Sequence, residues 1–236
     1  MAFTSFRFIV FLVLAAAAYF LTPKRCRWVT LFVANYVFYF ISGGRIFIYL
    51  LATTVTTYLA TVKIGDMAAK NKIAFNEAKA ELDKEGKKAW KAAFAKKKKR
   101  ILIPTLLFNF GILAVLKYSG FVTENLNLLF AKIGIGTELP VFRFLLPLGI
   151  SFYTFQSMGY LIDVYREKQE PERNFCKLAL FISFFPQIVQ GPISRFGTLA
   201  EQLFRANEFS YTRIKFGVQL MLWGAFKKMV IADRAA

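Results

Sequence analysis

The polar residues most capable of chemistry lie within two apolar segments that proline interrupts. Proline removes a backbone donor and clashes with the preceding turn, so we expect a helix to kink or to begin afresh near Pro147. We expect Pro186 and the Gly191–Pro192 pair to interrupt the second segment. Along each segment, polar side chains recur every three or four residues, which places them on one face of a helix. These residues are Tyr153, Gln156, Tyr160 and Asp163 on the first segment, and Ser183, Gln187, Gln190 and Ser194 on the second.

Two interpretations of these polar faces remain open. The side chains could hydrogen bond to one another across a helix interface, where such bonds are common and average only about 0.6 kcal/mol. Alternatively, they line a tunnel or an acceptor pocket, because irregular backbone survives at membrane depth only where it is buried in protein or lines a water-filled cavity. Position in the sequence does not choose between the two.

The residue types present do not form a reaction centre. The chain contains no His, which removes the commonest general base, metal ligand and near-neutral proton switch. Asp163 is the best-placed carboxylate, but it lies near Arg166 at a predicted helix end, where an ion pair is the simpler expectation. Cys176 begins an apolar run without a base beside it, which is typical of a buried, inert thiol. Cys26 and Cys176 make neither a zinc site nor a disulfide framework, so we predict no catalytic residue and no metal.

The composition indicates that lipid surrounds the elements that carry these faces. The 236 residues are 56% hydrophobic and 19% charged, whereas soluble domains are about 45–50% apolar and about 25% charged. A spanning helix needs about 20 mostly apolar residues. We therefore predict an all-α, polytopic membrane bundle with kinked or re-entrant segments, whose first helix is retained rather than cleaved as a signal peptide. The apolar runs are roughly residues 6–21, 28–41, 46–62, 101–116, 141–161, 178–193 and 216–232.

The basic residues predict the orientation of these spans. Residues 63–100 carry thirteen Lys and Arg against five Asp and Glu, a density that keeps a short loop in the cytoplasm. Counting back from this loop places the N-terminus outside. We expect the loop to be amphipathic, in two helical pieces separated near Gly86, and to lie on the anionic inner leaflet between three N-terminal spans (1–62) and a membrane core (101–236). Basic runs also bind nucleic acid, but topology explains this one, so we predict no nucleic-acid partner.

Four motifs in the second half of the chain carry a likeness to a known family. The chain reads LPLGISFYTFQ at 146–156, YLIDVYR at 160–166, FFPQIVQGPISR at 184–195, and QLMLWGAFKK at 219–228. These motifs resemble the membrane-bound O-acyltransferase family, and within it the bacterial branch that acetylates alginate, peptidoglycan and other cell-wall polymers. The resemblance matches no residue to a catalytic one. It supports, as candidate tunnel-lining or architectural positions, Gln156, Tyr160, Asp163, Gln187, Gln190 and Arg195.

The resemblance implies an activity, a location and partners. It implies transfer of acetyl groups from acetyl-CoA or a related thioester, with no bound cofactor, toward hydroxyls of an extracytoplasmic polysaccharide. The implied surroundings are the bacterial cytoplasmic (inner) membrane and its lipid bilayer, and a separate extracytoplasmic protein can complete the transfer. The family's catalytic histidine lies downstream of the motif at 219–228. We therefore interpret the chain as the N-terminal half of such an enzyme and expect residues 1–236 alone to be inactive.

Two other classes of protein remain open. A transporter or channel also uses interrupted helices near the bilayer midplane, but we find no internal repeat, and the two broken segments differ in pattern. A transporter would also place an ionisable residue within a span, for which Arg143 is the residue to consider. A non-catalytic membrane assembly subunit is compatible with the missing His.

Overall fold

The computed structural model describes residues 5–43, 47–80, 82–134, 139–141, 144–188 and 191–235. All regular secondary structure in these ranges is helical, which confirms the all-α part of the prediction. In chain order the helices are α1 (Phe6–Leu21), α2 (Arg27–Gly43), α3 (Phe47–Ala78), α4 (Lys84–Ile133), α5 (Ile150–Tyr165), α6 (Phe175–Ser183), α7 (Phe185–Ile188), α8 (Phe196–Phe204), α9 (Tyr211–Phe226) and α10 (Asp233–Ala235), with a 3₁₀ turn at Lys24–Cys26 and a π-helical segment at Lys227–Ala232.

The chain forms two compact units. The first comprises Met1–Ala34 and Gln202–Ala236, and the second comprises Asn35–Glu201. In the first unit, the Arg27 guanidinium donates to the carbonyl oxygens of Thr22 and Asn207 and lies over the Tyr19 ring. The Lys24 ammonium donates to Glu208 at 2.6 Å and lowers the pKa of that carboxyl below its usual value. These contacts connect the end of α1 to the segment that precedes α9.

The second unit is built on α3 and α4, which are longer than the apolar runs that predicted them. At 1.5 Å per residue, the 32 residues of α3 extend for about 48 Å and the 50 residues of α4 for about 75 Å. By length and composition, these two helices are able to cross a membrane. The helices at the other predicted N-terminal spans are shorter, with 16 residues in α1 and 17 in α2.

The basic segment 63–100 differs from the prediction. Its two helical pieces continue the neighbouring predicted spans, because residues up to Ala78 belong to α3 and residues from Lys84 onward belong to α4. The expected break near Gly86 is also wrong. The Asp83 carboxylate accepts from the Gly86 backbone N–H at 2.7 Å and so caps the first turn of α4. The connection therefore lies between Ala78 and Lys84, and the ends of α3 and α4 form a hairpin in which Phe75 faces Trp90.

The predicted new helix after Pro147 is confirmed. The helix α5 begins at Ile150 and Gly149 precedes it with φ of +70°, a left-handed conformation that glycine adopts without steric cost. A Cβ atom on Gly149 would lie 1.8 Å from Cγ2 of Ile188, so α7 packs directly against this turn. The second predicted break is also present, because α6 ends at Ser183 and α7 is a single turn.

The core of the second unit surrounds α5, which packs against α3, α4, α6 and α7. Its inward side chains are fully buried, and those of α6 enclose them from the other side. The Phe196 ring of α8 packs against the rings of Tyr160 and Phe181, with centroid distances of 4.7 and 4.9 Å. The helices α5 and α6 therefore lie at the centre of this unit, where most of the polar side chains of α5 have little contact with solvent.

Candidate functional site

The polar face of α5 is buried, as its spacing predicts, except at its end. Tyr153, Gln156 and Tyr160 are 0%, 3% and 2% exposed. Asp163, one turn further on, is only half-buried. Burial of uncharged polar groups requires partners, since an unpaired buried donor or acceptor costs about 1–3 kcal/mol. The partners of these side chains therefore distinguish a structural role from an open lining position.

Two of the three buried side chains bind backbone rather than the second polar face. Nε2 of Gln156 donates to the carbonyl of Phe181 at 2.8 Å. This carbonyl lies in the last turn of α6, where helical partners run out. The hydroxyl of Tyr160 accepts from the backbone N–H of Glu172 at 2.6 Å, in the loop before α6. Gln156 and Tyr160 therefore connect α5 to the last turn of α6 and to the loop that precedes α6, which is an architectural role.

Asn35 of α2 makes a similar connection that the sequence did not indicate. Its Oδ1 accepts from the Phe185 N–H at 2.9 Å, and its Nδ2 donates to the Ser183 hydroxyl at 3.4 Å. It is completely buried and spans the interruption between α6 and α7. The signal available in the sequence was a single amide within the apolar run 28–41.

A second feature that sequence reasoning missed is a line of threonines on α3. Thr53, Thr54, Thr57 and Thr61 are all buried. The hydroxyls of the last three donate to carbonyls one turn earlier in the same helix at 2.7–2.8 Å. Because these hydroxyls are satisfied within α3, the line can pack against its neighbours as small, largely apolar side chains.

The second polar face is only partly paired. Nε2 of Gln187 donates to the Ser194 hydroxyl at 2.9 Å, whereas its buried Oε1 has no partner among the described residues. Arg195 is exposed. Gln190, and Arg143 on the preceding segment, lie outside the described residues. Of the predicted lining positions, Gln187 is thus the one whose described surroundings leave an acceptor available.

Two phenol groups share this unsatisfied character. Within the described part of the chain, the buried side-chain oxygens that lack a partner are those of Tyr39, Tyr153 and Gln187. Each hydroxyl can donate one hydrogen bond and accept others, so these three groups keep hydrogen-bonding capacity that the described residues do not use.

The described residues contain no base paired with a nucleophile and no metal centre. No group of three or more His, Cys, Asp or Glu in the described ranges is arranged to hold a metal ion. Cys26 is exposed, and Cys176 is half-buried rather than fully buried as we expected. None of the described side chains is therefore assigned a catalytic role.

The likeness to O-acetyltransferases that modify bacterial surface polymers is confirmed by comparison with known proteins. Over its full length the chain is 33% identical to the probable alginate O-acetylase of Azotobacter vinelandii and 32% identical to that of Pseudomonas aeruginosa. Over 57% of its length it is 32% identical to the peptidoglycan O-acetyltransferase of Helicobacter pylori. The chain covers 42%, 41% and 30% of these three proteins. No protein-family model and no solved structure matches it significantly.

Proposed function

We propose that this chain is the N-terminal part of an integral-membrane O-acetyltransferase of the bacterial cytoplasmic membrane. The observation that carries the proposal is that the whole of this chain is similar to part of the alginate O-acetylases. The reaction moves an acetyl group from a thioester such as acetyl-CoA to a hydroxyl of an extracytoplasmic polysaccharide. The carbon–sulfur bond breaks, a carbon–oxygen ester bond forms, and the proton of the hydroxyl leaves with the thiol.

The surface of α4 supports a membrane location. Its most apolar 18-residue window is only 17% buried, and large side chains such as Leu107 and Phe108 are exposed. The core helix of a soluble protein is instead mostly buried, so this apolar surface needs lipid or further protein to cover it. With α1 to α4 as spans, the thirteen basic residues of 63–100 favour a cytoplasmic hairpin and an outside N-terminus.

The partly paired interior supports a role in holding the reacting molecules. The Tyr153 hydroxyl and the Gln187 Oε1 are buried with no partner among the described residues, and a polar substrate group that paired with them would remove that cost. The Gln156 side chain is instead engaged with α6 through its amide nitrogen. We therefore propose Tyr153 and Gln187 as substrate-contacting residues and Gln156 as a structural one. Neither residue is proposed as the catalytic base.

The proposal is tested in cells that express the protein containing this chain and have no polysaccharide acetylation of their own. Acetyl ester in the purified polymer is measured by NMR, and membrane abundance by immunoblotting. We expect ester above the vector control, a loss of ester at unchanged abundance for Gln187→Leu, and a loss of abundance for the matched variant Gln156→Leu. Membrane-inserted protein that yields no ester would overturn the function. Unchanged ester in Gln187→Leu would overturn the role of that residue.

A further inference from the structure

A cavity of about 860 Å³ lies away from the polar interior, between the ends of the hairpin and the loop that joins α5 to α6. Its walls are residues 65–75 of α3, residues 90–98 of α4 and residues 164–173. This volume is within the range of about 300–1,000 Å³ that small-molecule sites occupy. All of its lining belongs to the second unit, so the shape of the cavity is set by packing within one compact body.

The charge of the lining is strongly positive. Five basic side chains and two acidic ones contribute to it: Lys72, Lys91, Lys98, Lys168 and Arg173, with Glu167 and Glu170. Lys98 is 7% exposed and is held by Glu167 at 2.5 Å and by the Tyr165 carbonyl at 2.9 Å. Arg173 is paired with Asp66 at 2.7 Å. Within the described part of the chain, Lys72, Lys91 and Lys168 have no ion pair and remain available to an anion.

The same cavity has an aromatic wall whose orientation is fixed. Nε1 of Trp90 donates to the Asn71 side chain at 3.0 Å, which holds the indole in place. The Phe75 ring lies 6.1 Å from it at an angle of 58°, and Nζ of Lys91 lies 6.0 Å from the centroid of Phe75. A planar base that stacks on such a side chain gains affinity whichever base it is, because every base has a π-face. Exposed lysines beside it supply point charges for phosphate.

The distance between the cavity and the apolar parts of α3 and α4 decides whether a soluble ligand or a lipid headgroup can occupy it. Trp90 lies eleven residues before the apolar run that starts at Ile101, and Phe75 lies thirteen residues after Val62. At 1.5 Å per residue these are distances of about 16 and 20 Å along the helices. The headgroup layer extends for only about 5–8 Å on each side of the hydrocarbon core. In the proposed membrane placement, the aromatic wall therefore stands in water, beyond the reach of headgroups.

We propose that this cavity is a binding site for a water-soluble nucleotide, whose base stacks on Trp90 and whose phosphates contact Lys72, Lys91 and Lys168. The assignment rests on a preoriented aromatic side chain, a matching volume and three ammonium groups that form no ion pair with the described residues. Glu170 at the same site is an acceptor of the kind that ribose hydroxyls use in dinucleotide sites. The site is separate from the interior that holds Tyr153 and Gln187, so it stands whether or not acetyl transfer is the activity.

The test is a titration of the full chain, reconstituted in nanodiscs of zwitterionic phosphatidylcholine, with the fluorescent nucleotide mant-ADP. Fluorescence anisotropy reports the Kd. We expect saturable binding that the double variant Lys72→Met/Lys91→Met weakens at least about tenfold, since each 1.4 kcal/mol is a factor of ten. The matched control Lys96→Met/Lys97→Met removes the same charge from α4 outside the cavity, and we expect its Kd to stay within about threefold of the parent, because exposed charges contribute little.

A second pair of variants tests whether the base stacks on the Trp90 side chain. Trp90→Leu should weaken binding about tenfold or more, because stacking on an aromatic side chain contributes about 1–3 kcal/mol per base. Trp90→Phe keeps a ring and should retain most of the affinity, which also controls for folding. Pyrophosphate alone should compete only weakly.

Four outcomes would overturn the proposal. The first is that no saturable binding is found, and the second is that the Lys96/Lys97 control weakens binding as much as the Lys72/Lys91 variant. The third is that pyrophosphate competes as well as ADP and the Trp90 variants have no effect. The fourth is that binding is abolished when phosphatidylglycerol replaces part of the lipid. The last result would assign the lysines to lipid headgroups. None of these results bears on polymer acetylation, so the failure of this inference is distinguishable from failure of the proposed function.

Discussion

Replacement of Gly149 by alanine tests how the turn before α5 positions the polar interior. The backbone at this residue has φ of +70°, and a left-handed conformation costs a residue with a Cβ atom about 1–2 kcal/mol. The added methyl group would also lie 1.8 Å from Cγ2 and 2.7 Å from the carbonyl oxygen of Ile188. Overpacking of this kind costs about 1–3 kcal/mol. Together the two effects predict a loss of about 2–5 kcal/mol in the free energy of unfolding.

Substitutions at two other glycines separate the cost of the left-handed backbone conformation from the cost of the steric clash. Gly134 has φ of +80°, but a methyl group added there would meet no described atom within 4 Å, so Gly134→Ala should lose only the conformational part, about 1–2 kcal/mol. Gly111 lies inside α4, and a Cβ there also meets no described atom within 4 Å. Gly111→Ala should therefore stabilise the helix by about 0.5–1 kcal/mol, the propensity difference between the two residues.

The assay is reversible unfolding of the purified chain in mixed micelles, followed by circular dichroism as the denaturing detergent increases. The expected order of stability is Gly111→Ala above the parent, then Gly134→Ala, then Gly149→Ala. In the protein used for the acetylation test, Gly149→Ala should also lower polymer ester, because Ile188 adjoins Gln187. If Gly149→Ala proves as stable as Gly134→Ala, the contact between the turn and α7 is not as the structure places it, and the reasoning fails.

Three further predictions concern single contacts. Asn35→Leu leaves the buried N–H of Phe185 without its acceptor and should cost about 1–3 kcal/mol of unfolding free energy, measured in the same micelles; a neutral result would contradict the bridging role. Asn109→Leu, which removes a side-chain bond between α4 and Thr56, should cost only about 0.6 kcal/mol, the average for such bonds, and a loss as large as that of Asn35→Leu would refute the distinction. Lys24→Met should raise the pKa of Glu208, followed by NMR titration, because the ammonium favours the carboxylate form. Because this pKa is lowered in the folded state, the small contribution of the ion pair to stability is present above the unfolded-state pKa. It is lost as pH falls through the folded-state pKa. An unchanged titration of Glu208 in the variant would show that the pair does not form.

Local rules predict the breaks in the helices well. Proline and left-handed glycine act through their own covalent geometry and their immediate neighbours, so the start of α5 after Pro147 and the interruption after α6 follow from the sequence. The burial of Tyr153, Gln156 and Tyr160 follows for a similar reason, because spacing along a helix decides which side chains share a face. The connection between α3 and α4 illustrates the limit. It was expected near Gly86, but the carboxylate three residues earlier caps α4, so the boundary lies between Ala78 and Lys84.

The partners of the polar side chains could not be predicted. Two polar faces on consecutive segments suggest pairing between side chains, yet Gln156 and Tyr160 bind backbone groups in the last turn of α6 and in the loop that precedes α6. Which backbone groups lack helical partners depends on where α6 begins and ends in space. Asn35 is separated from Phe185 by 150 residues, and nothing in the local pattern of α2 indicates that partner.

By itself, the sequence determined that this protein is helical, that it is richer in apolar residues than soluble domains usually are, and that its motifs resemble those of polysaccharide O-acetyltransferases. These properties depend on composition, on covalent geometry and on residue order. Only the tertiary structure decided which polar atoms among the described residues remain unpaired in the interior, and that the basic residues of 63–100 continue two long helices and enclose a cavity with Trp90. Those properties arise from contacts between residues distant in the chain, which local spacing does not specify.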